Sequence, residues 1–330
     1  MPYPYKRMGR QGHPGNSRQW SPDLANRSAA RGLQPEGEVV VSPRMGQSPS
    51  QESAKRPGDA ASVGLPEYDR PPVVEVALGV QFRPIVKFRA PHVGLLWQEW
   101  RDEYPILDEV PPLDPAVERE GPVPRTTFQI TAIPPMLRYW FLNEDGSRLL
   151  QVQRDRVILN WRKVPTGPQM YPRYGTLREE FVRRLGQFVD FLSSHDLGEL
   201  AMTQAELNYI NSLPVGQGFE RPGELHRVLR TLASVEEGSE LGDPEEVRIS
   251  QVHRIDSEAG APARCYIVLE PAQVTAEEQA FLLTLTVRGK PFGEGVPETM
   301  KFLDFGHDEI VRRFTEATTE AMHALWGRMR

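Results

Sequence analysis

The chain has 330 residues, and 39% of them are hydrophobic, which is enough to fill the core of one large or two ordinary domains. No apolar run reaches the roughly 18 residues that a membrane span requires, and the N-terminus lacks the apolar core of a signal peptide. The single cysteine, Cys265, permits no intrachain disulfide, which excludes a secreted disulfide scaffold. We therefore expect a soluble cytoplasmic protein with no membrane association.

The N-terminal residues, 1 to 65, differ in composition from the rest of the chain. They are rich in Pro, Gly, Ser, Arg and Gln and cannot bury enough apolar surface to offset the entropy of ordering, so they predict a disordered tail. The tail has nine Lys or Arg and five Asp or Glu, a net charge of +4. The whole chain has 39 Lys or Arg and 45 Asp or Glu, so the rest of the chain, here called the body, has 30 basic and 40 acidic residues and a net charge of −10. For this basic tail a non-essential extension is favoured over the alternatives, which are an electrostatic arm for nucleic acid and a segment that docks on the body.

The first half of the body, 66–198, is predicted to contain a strand, a helix, a meander and a second helix. Period-two alternation predicts a strand at 72–82, and the apolar spacing after Pro91 predicts a short helix that ends near Pro105. The proline-rich acidic run from Leu107 to Pro124 predicts a loop. The remaining predicted elements are strands at Thr126–Ala132, Leu137–Leu142, Arg148–Gln153 and Arg156–Arg162, and a helix at Leu177–Ser193 entered through a capping box at Thr176 and Glu179.

The second half, 199–330, repeats this order, which predicts a pseudo-duplicated α+β fold. The helices have only the sheet against which to bury their apolar stripes, so we expect them on one sheet face. The arrangement resembles the helix-grip and TATA-binding-protein-like folds, a resemblance of fold that implies no function. The predicted elements are a strand at Ala201–Asn211, a helix at Pro222–Leu232, strands at Val247–Ile255, Arg264–Glu270 and Ala280–Val287, and a final helix at Met300–Met329.

Strand parity places nine polar side chains on the sheet face opposite the apolar one, which indicates a face left open to a polar ligand, a partner or solvent. Amide and charged groups suit hydrogen bonding to a planar polar ligand or to a peptide backbone. We therefore expect a surface that binds a protein or a small polar ligand; the alternative is the ordinary wet face of an antiparallel sheet. The nine residues are Glu75, Gln81, Gln151, Gln153, Asn160, Arg162, Gln204, Glu206 and Asn208.

A nucleic-acid-binding hairpin is a second hypothesis. Arginine beside aromatic rings suits stacking on bases and clamping of phosphates, although the −10 body disfavours it. The residues concerned are Arg148, Arg154, Arg156, Arg162, Lys163 and Arg173, with Trp161, Tyr171 and Tyr174 nearby.

An enzyme is the third hypothesis, a hydrolase or nuclease that uses Glu75, Glu206 or His307. For His307, between Asp304 and Asp308, a capping or surface role near the start of the last helix is favoured over a metal or general-base role. The chain contains no nucleophile elbow, Walker loop, dinucleotide fingerprint or zinc spacing, so no catalytic residue, metal ligand or cofactor is assigned.

Four segments resemble a sporadically distributed bacterial family of uncharacterised proteins, typically of about 250 residues. They are Leu149–Lys163 (LLQVQRDRVILNWRK), Tyr171–Tyr174 (YPRY), Glu206–Asn211 (ELNYIN) and Phe302–Phe314 (FLDFGHDEIVRRF), with a Pro-Pro-hydrophobic-Glu opening at Pro71–Glu75. The resemblance covers Pro71 to Arg330 and leaves out the tail. It implies no activity, cofactor or catalytic residue; the patchy distribution of the family implies a link to mobile gene neighbourhoods, where defence, toxin control and immunity functions gather.

Overall fold

A nine-stranded antiparallel sheet forms the centre of the computed structural model, which describes residues 64–116, 137–165, 167, 170–234, 240–256, 262–273 and 278–330. Except for its last two residues, the predicted tail lies outside these ranges, as does the predicted strand Thr126–Ala132. The strands are β1 (Val73–Phe82), β2 (Ile106–Val110), β3 (Arg138–Leu142), β4 (Arg148–Gln153), β5 (Arg156–Arg162), β6 (Met202–Pro214), β7 (Ile249–Ile255), β8 (Ala263–Gln273) and β9 (Gln279–Gly289).

The strand order is symmetric about the central pair, β1 and β6. It runs β2-β3-β4-β5-β1-β6-β9-β8-β7, so each half places its first strand at the centre and its last strand next to it. The register has the same symmetry: Glu75 pairs with Ile210 and Gly79 with Glu206, on either side of the Ala77–Asn208 pair. The predicted α+β class is confirmed, while the likeness to helix-grip and TATA-binding-protein-like folds stays a prediction.

Four α-helices and one 3₁₀ helix are present in the described part of the chain. None of them is long and apolar enough to cross a membrane. They are α1 (Ala90–Trp100), α2 (Arg173–Ser194), the 3₁₀ helix (Pro222–Arg227), α3 (Gly295–Ala317) and α4 (Glu320–Leu325).

The main helices pack on the apolar face of the sheet. The Trp100 ring of α1 contacts Phe141 of β3 edge-on, with 5.1 Å between ring centroids. Helix α2 contacts β1 and β5, and α3 contacts β6 and β9. Gly306 lies where α3 crosses the sheet, since a Cβ there would sit 3.4 Å from Val287 and 3.7 Å from Leu207. The packing leaves the opposite, polar face free of these three helices.

Two predictions for the first half are wrong. All but the first residue of strand β2 lie within the run that predicts a loop. Among the described strands β2 pairs with β3 alone, at the edge of the sheet, and an edge strand with little burial shows no alternation in sequence. Helix α2 begins at Arg173, before the predicted capping box, and its N-cap residue, Pro172, makes no side-chain cap. The hydrogen bond from Tyr174 to Asp304 of α3 (2.8 Å) holds this additional turn, so Thr176 lies inside the helix.

Two further predicted helices are shorter than predicted, because main-chain pairing between distant segments interrupts them. Leu229 and Thr318 form an antiparallel bridge, and the amide of Arg230 donates to the carbonyl of Ala317 at 2.9 Å. The predicted helix at Pro222–Leu232 is consequently only the 3₁₀ turn. The same bridge ends α3 at Ala317 and separates it from α4, whereas the sequence pattern predicts one continuous helix.

Candidate functional site

The nine predicted polar residues lie on one face of the sheet, which we call the polar face. Strand pairing places Glu75 opposite Arg162, and Gln81 opposite Gln204; the other residues keep the same alternation. The expectation of an open or wet face is nevertheless wrong. Five of the nine side chains are buried and the others are half-buried, and most of them hydrogen-bond one another or a crossing chain segment. The buried residues are Glu75, Gln151, Gln153, Asn160 and Gln204.

One hydrogen-bonded chain of buried side chains crosses four neighbouring strands. Arg138 of β3 donates to Gln151 of β4 (2.9 Å), Gln151 donates to Asn160 of β5 (2.7 Å), and Asn160 donates to Oε1 of Glu75 on β1 (2.6 Å). The other oxygen, Oε2 of Glu75, is buried and has no hydrogen-bond partner among the described residues. Arg138 is not among the nine predicted residues, although its parity in the strand RYWFL indicates this face.

A second cluster surrounds Glu206 on the neighbouring strands β6 and β9. Arg288 donates to one carboxylate oxygen, and Asn208 donates to the other at 2.5 Å. Thr286 donates in turn to the side-chain carbonyl of Asn208, and the Arg288 guanidinium lies 5.1 Å from the centre of the Tyr266 ring. Both oxygens of this glutamate are therefore satisfied.

The two glutamates occupy symmetry-equivalent positions but differ in ionisation. Glu75 pairs across the ladder with Arg162, as Glu206 does with Arg288. Arg162, however, donates its Nε to the carbonyl of Gly146 at 2.8 Å. Burial raises the pKa of Glu75 to about 7, against the opposing effects of its hydrogen bond and of the Arg162 charge. Burial alone would raise the pKa of Glu206 too, but the charge and hydrogen bond of Arg288 lower it below its ordinary value.

Four long polar side chains form a row at one end of the polar face, which we call the end row. It consists of Gln153, Arg156, Gln81 and Gln204, directly opposite one another on β4, β5, β1 and β6. Gln204 is 7% exposed, and its Nε2 has no hydrogen-bond partner among the described residues. The other three side chains bind a segment of the same chain.

The bound segment, residues 111–116 (PPLDPA), is here called the crossing segment. Gln153 binds both main-chain groups of Leu113: it donates to the carbonyl oxygen at 3.1 Å and accepts from the amide at 2.9 Å. Gln81 binds both groups of Ala116 in the same way, at 3.0 and 3.1 Å. Between them, Arg156 donates to the carbonyl oxygen of Asp114 at 3.0 Å. The end row thus recognises main-chain atoms of three residues.

The spacing of these contacts matches the geometry of the sheet. Gln153 and Gln81 stand two strands apart, about 10 Å at the usual strand separation. Three residues of extended or polyproline II chain also span about 10 Å, and polyproline II has three residues per turn. Residues 113 and 116 therefore present equivalent main-chain groups to the row. Proline, which has no amide hydrogen, stands at 111, 112 and 115, outside these two positions.

The residues of the enzyme hypothesis do not come together. Glu75 and Glu206 lie on the polar face, whereas His307 lies on α3, on the apolar side of the sheet. Its predicted role near a helix start is wrong, since His307 is in the middle of α3, stacked on Tyr174 at 4.2 Å and bonded to the Tyr209 hydroxyl at 2.9 Å. No group of three His, Cys, Asp or Glu residues suited to a metal ion occurs among the residues described.

Two arginines of the hairpin form ion pairs with carboxylates of the protein. Arg148 pairs with Glu180 at 3.0 Å, and Arg156 pairs with Asp155 at 3.2 Å. Trp161, which the nucleic-acid hypothesis placed beside them, is 1% exposed in the core and cannot stack on a base there. This geometry gives that hypothesis no support.

No model of a known protein family matches the chain, nor does any curated protein or solved structure. The resemblance to the bacterial family consequently stays a prediction.

Proposed function

We propose that the protein is a non-enzymatic binding module whose polar face holds an extended polypeptide by its main chain. The observation that carries this proposal is the pair of reciprocal contacts that Gln81 and Gln153 make with Ala116 and Leu113. In each contact, one side-chain amide satisfies both the main-chain N–H donor and the main-chain carbonyl acceptor of one residue.

Main-chain recognition of this kind tolerates many side chains in the bound peptide. A glutamine amide carries the same donor and acceptor as a peptide group, so it pairs with backbone wherever the backbone is extended. Arg156 adds a charged donor to a third carbonyl, and such bonds are stronger than neutral ones. The preferred ligand is an extended, proline-containing segment with non-proline residues three positions apart.

The end row also has capacity beyond the crossing segment. Gln204 follows Gln81 on the next strand, and its buried Nε2 lacks an acceptor among the described residues. A buried polar group without a partner costs about 1–3 kcal/mol, and a carbonyl of a longer peptide would recover it. The crossing segment is therefore an intramolecular ligand that a partner polypeptide would displace and extend.

The test uses the full-length chain with residues 111–116 replaced by a Gly/Ser sequence of equal length. A fluorescent peptide of residues 109–116 should bind this variant saturably in an anisotropy titration, and should bind the natural chain far more weakly because the row is occupied. Gln81→Leu with Gln153→Leu removes the four hydrogen bonds to the bound segment and should weaken binding by at least about tenfold. Gln98→Leu, at an exposed position of α1, is the matched control.

Circular dichroism verifies that each variant is folded. The proposal fails if the folded Gly/Ser variant shows no saturable binding, or if the double substitution leaves the affinity of the peptide unchanged.

A further inference from the structure

A cavity of about 320 Å³ lies on the other side of the sheet, away from the polar face. It is formed by the chain before β1, the start of α2, strand β6 and helix α3. Its volume is at the lower end of the range for small-molecule sites, about 300–1,000 Å³. The apolar part of its wall includes Leu65, Pro71, Val73, Ile310, Val311 and Phe314.

A linked set of neutral polar groups lies in the same wall. The hydroxyls of Tyr171 and Tyr209 are 2.9 Å apart, and the Tyr209 hydroxyl is 2.9 Å from Nδ1 of His307. Burial lowers the pKa of His307 to about 4 and raises those of both tyrosines, so these groups are uncharged at neutral pH. The remaining nitrogen of His307, Nε2, has no hydrogen-bond partner within the described ranges. The cluster can therefore hydrogen-bond one polar group of a ligand.

Arg173 is a cation at the cavity for which the described part of the chain provides no carboxylate partner. Arg173 lines the cavity, is exposed, and donates from NH1 to the carbonyl of Tyr68 at 3.0 Å, without an ion pair to any described acidic residue. By contrast, Arg330 in the same wall pairs with Glu67 at 2.7 Å. Arg173 also has a φ of 71°, a left-handed conformation that is strained for a residue other than glycine. Its guanidinium is thus the available site for an anion.

We propose that this cavity binds a small hydrophobic carboxylate, which places its apolar body against the wall and its charged group between Arg173 and the Tyr171–Tyr209–His307 cluster. Arginine and carboxylate form strong charge-assisted hydrogen bonds, and neutral tyrosine and histidine groups add hydrogen bonds without a second charge to desolvate. This site is independent of the polypeptide-binding function proposed for the polar face.

The probes are linear carboxylates from butanoate to dodecanoate, titrated into the full-length protein by isothermal titration calorimetry. We expect one-to-one binding that is strongest at an intermediate chain length, and at least about tenfold weaker binding of the alcohol of the same length. Arg173→Gln should weaken carboxylate binding by about tenfold or more. Arg83→Gln, the same change at an exposed arginine outside the cavity wall, should leave the affinity unchanged.

A second variant tests the location of the site without altering charge. Val311→Phe places a larger side chain in the cavity wall, which narrows the cavity and should shift the preferred chain length to shorter carboxylates. The combined Gln81→Leu and Gln153→Leu variant should bind carboxylates normally, which separates this site from the polar face. The proposal is overturned if no carboxylate binds saturably in the millimolar range, if Arg83→Gln weakens binding as much as Arg173→Gln, or if Val311→Phe leaves the length preference unchanged.

Discussion

Replacing Glu75 by glutamine should change how the stability of the protein depends on pH. Glu75 is 4% exposed, and burial raises its pKa from 4.5 to about 7. At pH values between these two, the folded state keeps a proton that the unfolded state releases. The stability contributed by this proton is fully present at pH values below the pKa of Glu75 in the unfolded chain, and it is lost as the pH rises through about 7. A shift of this size corresponds to about 3 kcal/mol.

Urea denaturation of the natural protein and of Glu75→Gln, at about pH 5 and about pH 8, measures the effect. The variant has no proton to lose, so its unfolding free energy relative to the natural protein should increase by about 2.5 kcal/mol between the two pH values. Comparing the two proteins at each pH cancels the titration of all other groups. A difference that stays constant within about 0.5 kcal/mol would refute the raised pKa.

Glu206→Gln is the matched control, because Glu206 is symmetry-equivalent to Glu75 but has a lowered pKa. At pH values above the pKa of the unfolded state, the ionised form of Glu206 stabilises the folded protein. This stabilisation is lost as the pH falls through the pKa of the folded state. Glu206→Gln should therefore destabilise the protein most at high pH, the opposite sign to Glu75→Gln. The same sign for both variants would contradict the difference between the two sites.

Two further predictions concern the core. Gly289→Ala would place a Cβ 2.9 Å from the Phe302 ring and should lower the unfolding free energy by about 1–3 kcal/mol. Gly94→Ala in α1 is the control, because its Cβ would meet nothing within 4 Å and the substitution should be neutral or stabilising. Equal effects of the two substitutions in urea denaturation would contradict the packing described. Burial raises the pKa of the Cys265 thiol to about 12, so Ellman's reagent should modify it only after unfolding, and rapid reaction of the native protein would show that the thiol is accessible.

The two faces of the central sheet could be predicted from the sequence because side-chain alternation is a local property of each strand. Val76 and Leu78 of β1 are buried on the apolar face, while Glu75 and Gln81 lie on the polar face with Gln204 of β6. Antiparallel pairing places directly opposed residues on the same face, so the parity of single strands is preserved in the sheet. Longer amphipathic segments, such as those of α1 and α2, were predicted for the same reason, although their ends were not.

The crossing segment shows where local patterns are insufficient. The sequence PPLDPA has neither helical nor strand periodicity and predicts a loop. Its position depends on Gln81 and Gln153, which bind residues 35 and 40 positions away along the chain. Nothing in the six residues themselves indicates that two glutamine amides will satisfy their main-chain groups. The burial of the polar face likewise depends on these long-range contacts.

The α+β class, most of the strands and the polar character of one sheet face follow from local sequence patterns, because each depends on the spacing of neighbouring residues. Long-range packing sets the ends of α2 and α3, the ionisation difference between Glu75 and Glu206, and the cavity beside Tyr171 and His307. Each of these depends on which distant groups share a buried volume. The free energy of a buried polar group is set by those partners and by the exclusion of water, which the order of residues along one strand or helix does not specify.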